Sequence, residues 1–495
     1  MNFLSWVERA GNRLPDPATL FLIGTAVIMV LSQLAVSLDW AVHGAPGVEL
    51  KAKSLLSSEG LWWFMSHMVE NFIRFPPLAI VLVGMLGIGL AEWSGLLPAL
   101  LRAIILHTPA PLLTPATLFA GILSSIALDA GYVVLPPIAA ALYQAAGRSP
   151  LAGIAAVFAG VSAGFSANLF ITAVDPLLAG LTQAAAAIVS PGYPVAVTAN
   201  WWFMLVSTIL LTLVGWAVSD GYVAPRLGNT GLEAAGKPDG AAGITPAEAR
   251  GLRLALVAAS LALFLVVLAG SVPGAPLHGQ GVRFTRWIEV TVPLLCLLFF
   301  VPGLVYGICV GTIRNDRDVA RMLGDTIARL GPYIVLAFFA AQFIESFKYS
   351  GLGEMLAFAG GAALVSIQIA SPWLLLSFIV LVAIANLFIG SASAKYAFLA
   401  PVFVPMFMQV GFSPELTQAA YRVGDSVSNV ITPFNPYMII ILAQVQKYLK
   451  GSGLGTLVAM MLPYTIVFAV VWSGLLLIWV ALGWPLGPGG RLFID

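Results

Sequence analysis

Charged residues are scarce in this chain: they make up 9% of its 495 residues, whereas an average soluble domain has roughly 25%. Cysteine is almost absent, and Cys296 and Cys309 lie in one apolar run, where they indicate neither a disulfide nor a metal site. The four histidines are scattered, and no block of basic residues suits nucleic acid. We therefore expect no nucleic-acid partner, no transition metal and no cofactor.

Long apolar runs take the place of the missing charges. Hydrophobic residues form 60% of the chain, and the mean hydropathy is +0.96. A helix needs about 20 apolar residues to cross the hydrocarbon core of a bilayer. Runs of about that length lie at residues 17–38, 76–98, 201–218, 253–272, 288–311, 331–347 and 454–482. The sequence therefore predicts an all-α, polytopic protein embedded in the lipid bilayer.

The distribution of lysine and arginine predicts the orientation of the chain. The first apolar run is too long for the apolar region of a signal peptide, so we interpret it as a retained span. With a cytoplasmic N-terminus, fourteen of the 23 basic residues face the cytoplasm and seven face outside, while Lys395 and Arg422 lie within the membrane. This excess agrees with the positive-inside rule.

One apolar segment is interrupted where a membrane helix is expected. Residues 426–436 read SVSNVITPFNP. Unwinding at Thr432–Pro433 and near Pro436 would free backbone carbonyls and amides, which are unfavourable in hydrocarbon unless a ligand or a protein group pairs with them. The structural alternative is a proline kink whose serines bond back to carbonyls.

The interrupted segment has a second copy. Residues 166–176 read SANLFITAVDP and align with 426–436 without a gap, and residues 132–150 align in the same way with 396–414. The identities are mostly Ser, Thr, Pro, Tyr and Gly, so we interpret the two regions as a repeat. An extra span between them, 253–272, would invert the second copy, and inverted repeats with broken helices are typical of secondary transporters.

The repeat predicts two halves. The first half, residues 1–218, contains spans 1–4, with a re-entrant hairpin at about 110–146 and a broken helix at about 150–190. A cytoplasmic linker (219–252) and the connecting span follow. The second half, residues 273–495, contains hairpin 2 at about 373–411, a broken helix at about 414–446 and the last span, 454–482.

The tips of both predicted hairpins are small and polar. They read SSIALDAG (124–131) and GSASAK (390–395). Non-helical backbone at membrane depth is tolerated only inside protein or beside a water-filled cavity. Asp129 and Lys395, one in each tip region, either pair with each other or line the pathway.

The two interrupted segments also predict an ion site. Serine, asparagine and threonine oxygens suit Na⁺ together with freed carbonyls, and half-helix N-termini attract anions. Asp175 has no basic neighbour in sequence, which favours it for coupling to Na⁺ or H⁺. The candidate ion-coupling residues are Ser166, Asn168, Thr172, Asp175, Ser426, Asn429 and Thr432.

Four polar residues before the second interruption follow a helical spacing. Arg422, Asp425, Ser426 and Asn429 stand at i, i+3, i+4 and i+7, so one helix face is predicted to carry them. A charge at mid-membrane costs roughly 2.5–3.5 kcal/mol on insertion scales. Either Arg422 and Asp425 neutralise each other as a structural pair, or Arg422 holds a substrate carboxylate while Asp425 orients it or titrates.

These motifs resemble those of a known family. The run SASAKYAFLAPVFVPMFMQVGFSPELTQAAYRVGDSVSNVITPFNPY (391–437), with LDAGYVVLPPIAAALYQAAGRSP (128–150) and GFSANLFITAVDPLLAG (164–180), is similar to the AbgT family of p-aminobenzoyl-glutamate transporters. The resemblance covers nearly the whole chain. It implies a homodimer in a bacterial inner membrane, with about nine transmembrane helices and two re-entrant hairpins per protomer. It also implies transport of p-aminobenzoyl-glutamate and folate-related aromatic anions, and efflux of sulfonamide antimetabolites.

The resemblance also assigns substrate-binding positions. They are Asp175, Ser393, Pro414, Arg422, Asp425 and Pro433. After the lysine of the SAK motif the family commonly has tryptophan, whereas this chain has Tyr396. The ring of Tyr396 can still stack on an aminobenzoyl group, and its hydroxyl alters the chemistry there.

Other functions remain open at this point. A sodium-coupled dicarboxylate or other organic-anion symporter is the alternative transporter, because such proteins also carry Ser-Asn-Thr motifs at paired broken helices. Residues 423–425 (VGD) resemble the GxGD element of intramembrane aspartyl proteases, but the adjacent Arg422 argues against that chemistry. We therefore expect no enzyme. A passive channel is the last alternative, and gradient-dependent uptake would exclude it.

Overall fold

Helices make up nearly all the regular structure of the residues that the computed structural model describes, which are 15–43, 49–127, 130–232, 243–278, 286–367 and 371–494. Within these ranges the sheet is one antiparallel pair, β1 (Ala41–His43) and β2 (Glu49–Lys51). Six described helices are long and apolar enough to cross a membrane, or up to eight if two bent pairs each form one span. The all-α polytopic class is confirmed, while the inverted repeat and the count of about nine spans stay predictions.

The first half of the chain forms nine α-helices among the described residues. They are α1 (Pro17–Ser37), α2 (Ser58–Ile73), α3 (Pro76–Trp93), α4 (Leu96–Leu106), α5 (Leu113–Leu123), α6 (Ala130–Ala145), α7 (Pro150–Phe158), α8 (Val174–Ala186) and α9 (Trp201–Val218). The apolar runs of the sequence do not predict α2, because serine, glutamate, histidine and asparagine interrupt its apolar residues. The predicted run 76–98 is divided at Gly95, whose φ of 91° suits glycine and turns the chain from α3 into α4.

The rest of the chain forms twelve described α-helices. They are α10 (Ala224–Leu227), α11 (Pro246–Ser271), α12 (Arg286–Glu289), α13 (Thr291–Val310), α14 (Asp316–Arg329), α15 (Gly331–Tyr349), α16 (Leu352–Ser366), α17 (Ser371–Asn386), α18 (Ala392–Met408), α19 (Pro414–Val427), α20 (Met438–Tyr448) and α21 (Leu454–Ala481). Large apolar side chains such as Leu256, Val257 and Phe264 are exposed on α11, which packs mainly on α13. A continuous exposed apolar surface of this kind suits contact with lipid.

The linker predicted at 219–252 is shorter in the structure. At its start, α9 continues through a π-helical turn (Ser219–Val223) into α10. At its end, α11 begins at Pro246 because Thr245 and Glu248 form a capping box: each side chain accepts a hydrogen bond from the backbone amide of the other residue. Among the described residues of this segment, only 228–232 and 243–245 are non-helical.

Both segments predicted as broken helices are interrupted. In the first, α7 continues into a π-helical turn (Ala159–Ala163), and residues 164–173, here called the first break, separate it from α8. In the second, residues 428–437, here called the second break, separate α19 from α20. A helical segment of each broken helix therefore ends inside the protein.

The second break begins earlier than the predicted unwinding at Thr432–Pro433. The side-chain amide of Asn386 donates to the backbone carbonyl of Asp425 at 2.9 Å. The backbone amide of Asn429 donates instead to the backbone carbonyl of Ser426. An α-helix would pair that amide with the Asp425 carbonyl. Asn429 therefore lies in the break rather than on the helix face predicted to carry it.

Every residue of α19 is buried, although the helix carries the charged residues Glu415, Arg422 and Asp425. It packs against α8, α17, α18 and α21. A Cβ atom built on Gly424 would lie 2.5 Å from the carbonyl oxygen of Ile379 on α17, so only glycine permits this approach. The packing encloses the charged residues of α19 within the protein.

We expect Gly424→Ala to lower the stability of the purified protein, because the added methyl group pushes α17 away from α19. Overpacking of this kind costs about 1–3 kcal/mol. The measurement is thermal unfolding in detergent. The matched control is Gly474→Ala on α21, where no atom lies within 4 Å of the added Cβ. Equal unfolding temperatures for the two variants would contradict the close approach.

Candidate functional site

A buried ion pair joins the two broken helices. The Nη2 atom of Arg422 on α19 lies 2.6 Å from Oδ1 of Asp175 in the first turn of α8. The second oxygen of Asp175 accepts hydrogen bonds from the amide and the hydroxyl of Thr172, at 2.6 and 2.9 Å. Because Thr172 belongs to the first break, this pair ties the arginine of one broken helix to the interruption of the other.

A second buried ion pair lies one turn further along α19. The Nζ atom of Lys395 on α18 lies 2.6 Å from Oδ1 of Asp425, and each side chain is 1% exposed. Lys395 also donates to the side-chain oxygen of Asn386 at the end of α17. The hydroxyl of Tyr421 lies 3.2 Å from the same oxygen of Asp425. Oδ2 of Asp425 is buried without a hydrogen-bond partner in the described structure.

These pairs correct the predicted partners of the charges. Arg422 and Asp425 do not pair with each other, because Arg422 faces α8 while Asp425 faces α18. Asp175 has no basic neighbour in sequence, but in the fold it pairs with Arg422, which lies 247 positions away. Lys395 pairs with Asp425, and Asp129, its suggested partner, lies outside the described residues.

Polar groups of each break contact the end of the helical segment that precedes the other break. The side-chain amide of Asn435 donates to the hydroxyl of Ser162 at 3.0 Å, and that of Asn429 donates to the carbonyl of Ser162 at 3.4 Å. The amide of Ser166 donates to the hydroxyl of Ser426 at 3.2 Å. The two interruptions therefore form one polar region in the protein interior.

Two other candidates for ion coupling, Asn168 and Thr432, form hydrogen bonds with residues of their own half of the chain. Asn168 accepts a hydrogen bond of 2.9 Å from the hydroxyl of Ser125, in the tip of the first predicted hairpin. The hydroxyl oxygen of Thr432 is fully buried and accepts from the amide of Phe434 at 3.3 Å. Among the described residues, no group of three or more His, Cys, Asp or Glu side chains is placed to hold a metal ion.

Tyr396 lies inside the protein, beside the ion pairs. Its hydroxyl is 2.7 Å from Oγ1 of Thr182, which donates to the side-chain oxygen of Gln418 at 2.8 Å. Its ring lies 4.3 Å from that of Tyr421, centroid to centroid. Thr182 and Gln418 are not among the residues predicted from the sequence, although Gln418 stands four residues before Arg422 on the same helix face.

The remaining predicted positions lie at helix ends. Ser393 is half-buried at the start of α18, with its hydroxyl 3.2 Å from that of Ser391. Pro414 opens α19 after Ser413, whose hydroxyl caps the helix by accepting from the amide of Leu416. Pro433 is half-buried in the second break. The two prolines shape the backbone that presents the charges.

We expect Lys395→Met to destabilise the protein by about 3–5 kcal/mol, because it leaves Asp425 buried and without its cation. The double variant Lys395→Met/Asp425→Asn removes both charges and should recover much of that loss. Thermal unfolding in detergent compares the two. A double variant less stable than the single variant would contradict the pairing.

Nearly the whole chain matches one family. The model of the AbgT transporter family matches residues 2–494. The p-aminobenzoyl-glutamate transport protein of Escherichia coli (strain K12) is 37% identical over 493 residues, which cover 98% of this chain and 96% of that protein. The resemblance found in the motifs is therefore confirmed along the chain.

Two solved structures share the fold. The YdaH transporter of Alcanivorax borkumensis superposes with a TM-score of 0.91 at 41% identity, covering 96% of this chain and all of that one. MtrF of Neisseria gonorrhoeae, described with a class of antimetabolite efflux pumps, superposes with a TM-score of 0.93 at 41% identity, covering 99% and 100%. The matched proteins are transporters rather than enzymes. This chain is a multi-pass membrane transporter, and it belongs to the AbgT family.

Proposed function

We propose that this protein is an ion-coupled secondary transporter of p-aminobenzoyl-glutamate and related aromatic anions, and that it also exports sulfonamides. It acts as a homodimer in the inner membrane of a bacterium, with the N-terminus in the cytoplasm. The name of the relative from Escherichia coli and the description of MtrF support the substrate and the efflux, respectively.

The observation that carries the proposal is the buried pair of Arg422 and Asp175, which joins the two broken helices. A guanidinium binds carboxylates through two parallel hydrogen bonds, which suits an anion that carries carboxylates. In the described structure Nε of Arg422 is buried and has no hydrogen-bond partner. A substrate carboxylate could therefore bind this edge of the guanidinium and compete with Asp175 for it.

The balance of buried charge supports the ion coupling. Arg422 and Lys395 offset Asp175 and Asp425, so the site is neutral before substrate binds. An added anion leaves an uncompensated negative charge, which is unfavourable at membrane depth. One Na⁺ ion or proton for each added carboxylate restores neutrality, and displacement of Asp175 from Arg422 offers one position for such a cation. Further oxygens are supplied by Ser166, Asn168, Thr172, Ser426, Asn429 and Thr432.

The aromatic ring of the substrate is assigned to the part of the site beside Tyr396 and Tyr421. Tyr396 and Tyr421 already contact each other beside Asp425, and an aminobenzoyl ring can stack on such a pair. Ser393 lies at the start of α18, Pro414 opens α19, and Pro433 lies in the second break. The guanidinium of Arg422 would also accept a dicarboxylate, which keeps organic-anion symport as the second candidate.

Flux of radiolabelled p-aminobenzoyl-glutamate into proteoliposomes, under separately imposed Na⁺ and H⁺ gradients, tests the proposal. We expect either the Na⁺ or the H⁺ gradient to drive uptake. We expect Arg422→Gln to reduce this uptake roughly thirtyfold or more, because the buried carboxylate that Arg422 binds loses its cationic partner. The control is Arg321→Gln, a change of an arginine that is 66% exposed on α14. Competition by sulfamethazine but not by succinate is the expected specificity.

Three results of this flux experiment would each contradict a different part of the proposal. Equal flux with and without gradients would indicate a channel. Uptake of succinate without uptake of p-aminobenzoyl-glutamate would favour the dicarboxylate transporter. Unchanged flux in Arg422→Gln would remove this arginine from the mechanism.

A further inference from the structure

A groove lies between the start of α21 and the segments packed beside it. Its walls are mostly apolar and include Leu151 of α7, Val445 of α20, and Met460 and Pro463 of α21. Its volume is about 210 Å³, whereas one water molecule needs only roughly 10–15 Å³. The groove therefore has room for part of an organic molecule, and the proposed function uses none of its residues.

The helix ends around the groove place it at one face of the membrane. Arg226, which lines it, is in the last turn of the apolar span Trp201–Leu227, and Thr456, which also lines it, is in the first turn of α21. Pro463 lies about two turns further along α21, or roughly 10 Å deeper into the bilayer. Ile466 follows on the same helix and is exposed, as suits contact with lipid. The groove therefore extends from the membrane face along a helix that lipid can reach.

The polar side chains at the groove favour an anion. Arg226 and Tyr222 are both exposed, and the guanidinium donates to the Tyr222 hydroxyl at 3.2 Å. None of the described side chains that line the groove is acidic, and Arg226 forms no ion pair with a described carboxylate. Lys447 and Lys450 are exposed at the end of α20 and just after it. Basic side chains at a membrane face attract the head groups of anionic lipids.

We propose that this groove binds one anionic phospholipid, with its phosphate on Arg226 and Tyr222 and an acyl chain along Met460 and Pro463. Such a lipid has both features that the groove selects: a negative head group at the membrane face and an apolar chain that extends into the bilayer. A free phosphate leaves the apolar wall uncovered, and a zwitterionic lipid brings its own cation close to Arg226. The inference does not depend on which substrate the protein transports.

The bound lipid contacts both broken helices. Leu151 lies near the start of α7, the first segment of the first broken helix, and Val445 lies on α20, the last segment of the second. These two segments pack against each other. Because the lipid binds the folded protein at this contact, phosphatidylglycerol should raise the unfolding temperature of wild type.

Native mass spectrometry of the full-length protein in detergent tests the proposal, with phosphatidylglycerol and phosphatidylcholine of the same acyl chains as probes. Wild type should bind phosphatidylglycerol more tightly. Arg226→Gln removes the charge at the head group, and we expect about fivefold weaker binding of phosphatidylglycerol, with little change for phosphatidylcholine. The matched control is Arg253→Gln, a change of an exposed arginine on α11 that does not line the groove. This control should keep the preference of wild type.

A second variant tests the apolar wall without a change of charge. Ala459 is exposed and lines the groove, so Ala459→Trp fills it and should abolish the tight binding of phosphatidylglycerol. Its control is Ile466→Trp, on the exposed surface of the same helix outside the groove, which should bind as wild type does.

Several results would overturn the proposal. Equal binding of the two lipids by wild type would show that the groove does not select an anion. Equal losses in Arg226→Gln and Arg253→Gln would indicate attraction by the surface charge as a whole. Displacement of the lipid by glycerol phosphate alone would indicate a site for a free anion. Dissociation of an oligomer by Ala459→Trp, with lipid binding unchanged, would indicate that a second copy of the chain fills the groove.

Discussion

The ion pair between Arg422 and Asp175 is the interaction on which the interior of this transporter depends. A guanidinium in a membrane protein needs an anion close by, since its burial alone is strongly unfavourable. Asp175 meets that need only because the first break places Thr172 and the start of α8 against α19. The pair thus depends on the first break, and it holds the two broken helices together next to that break.

The helix α19 shows how a polar helix is accommodated in an apolar protein. All of it is buried, so each polar side chain depends on a particular neighbour. Arg422 relies on α8, and Asp425 relies on Lys395 of α18. Asn386 of α17 pairs with both the Lys395 side chain and the carbonyl that the break leaves free. The same neighbours that stabilise the helix therefore form the site, and the binding of an anion has to rearrange them.

Much of this arrangement could be predicted from the sequence, and part of it could not. The spans follow from hydropathy, and the interruptions follow from the paired segments 166–176 and 426–436, since proline and clustered polar residues disrupt a membrane helix locally. The partners of the charges are a tertiary property: residues 247 positions apart meet only in the fold. The residue at which the second break begins could not be predicted from the sequence either, because it depends on the side chain of Asn386 on another helix.

The most direct test of the account is a double-mutant cycle on Asp175→Asn and Arg422→Gln, measured as free energy of unfolding of the purified protein. If the two side chains form the pair that joins the breaks, the double variant loses less stability than the sum of the single variants, by about 1 kcal/mol or more. If the two losses add to within about 0.3–0.5 kcal/mol, the side chains do not interact, and a site built on their pairing is wrong.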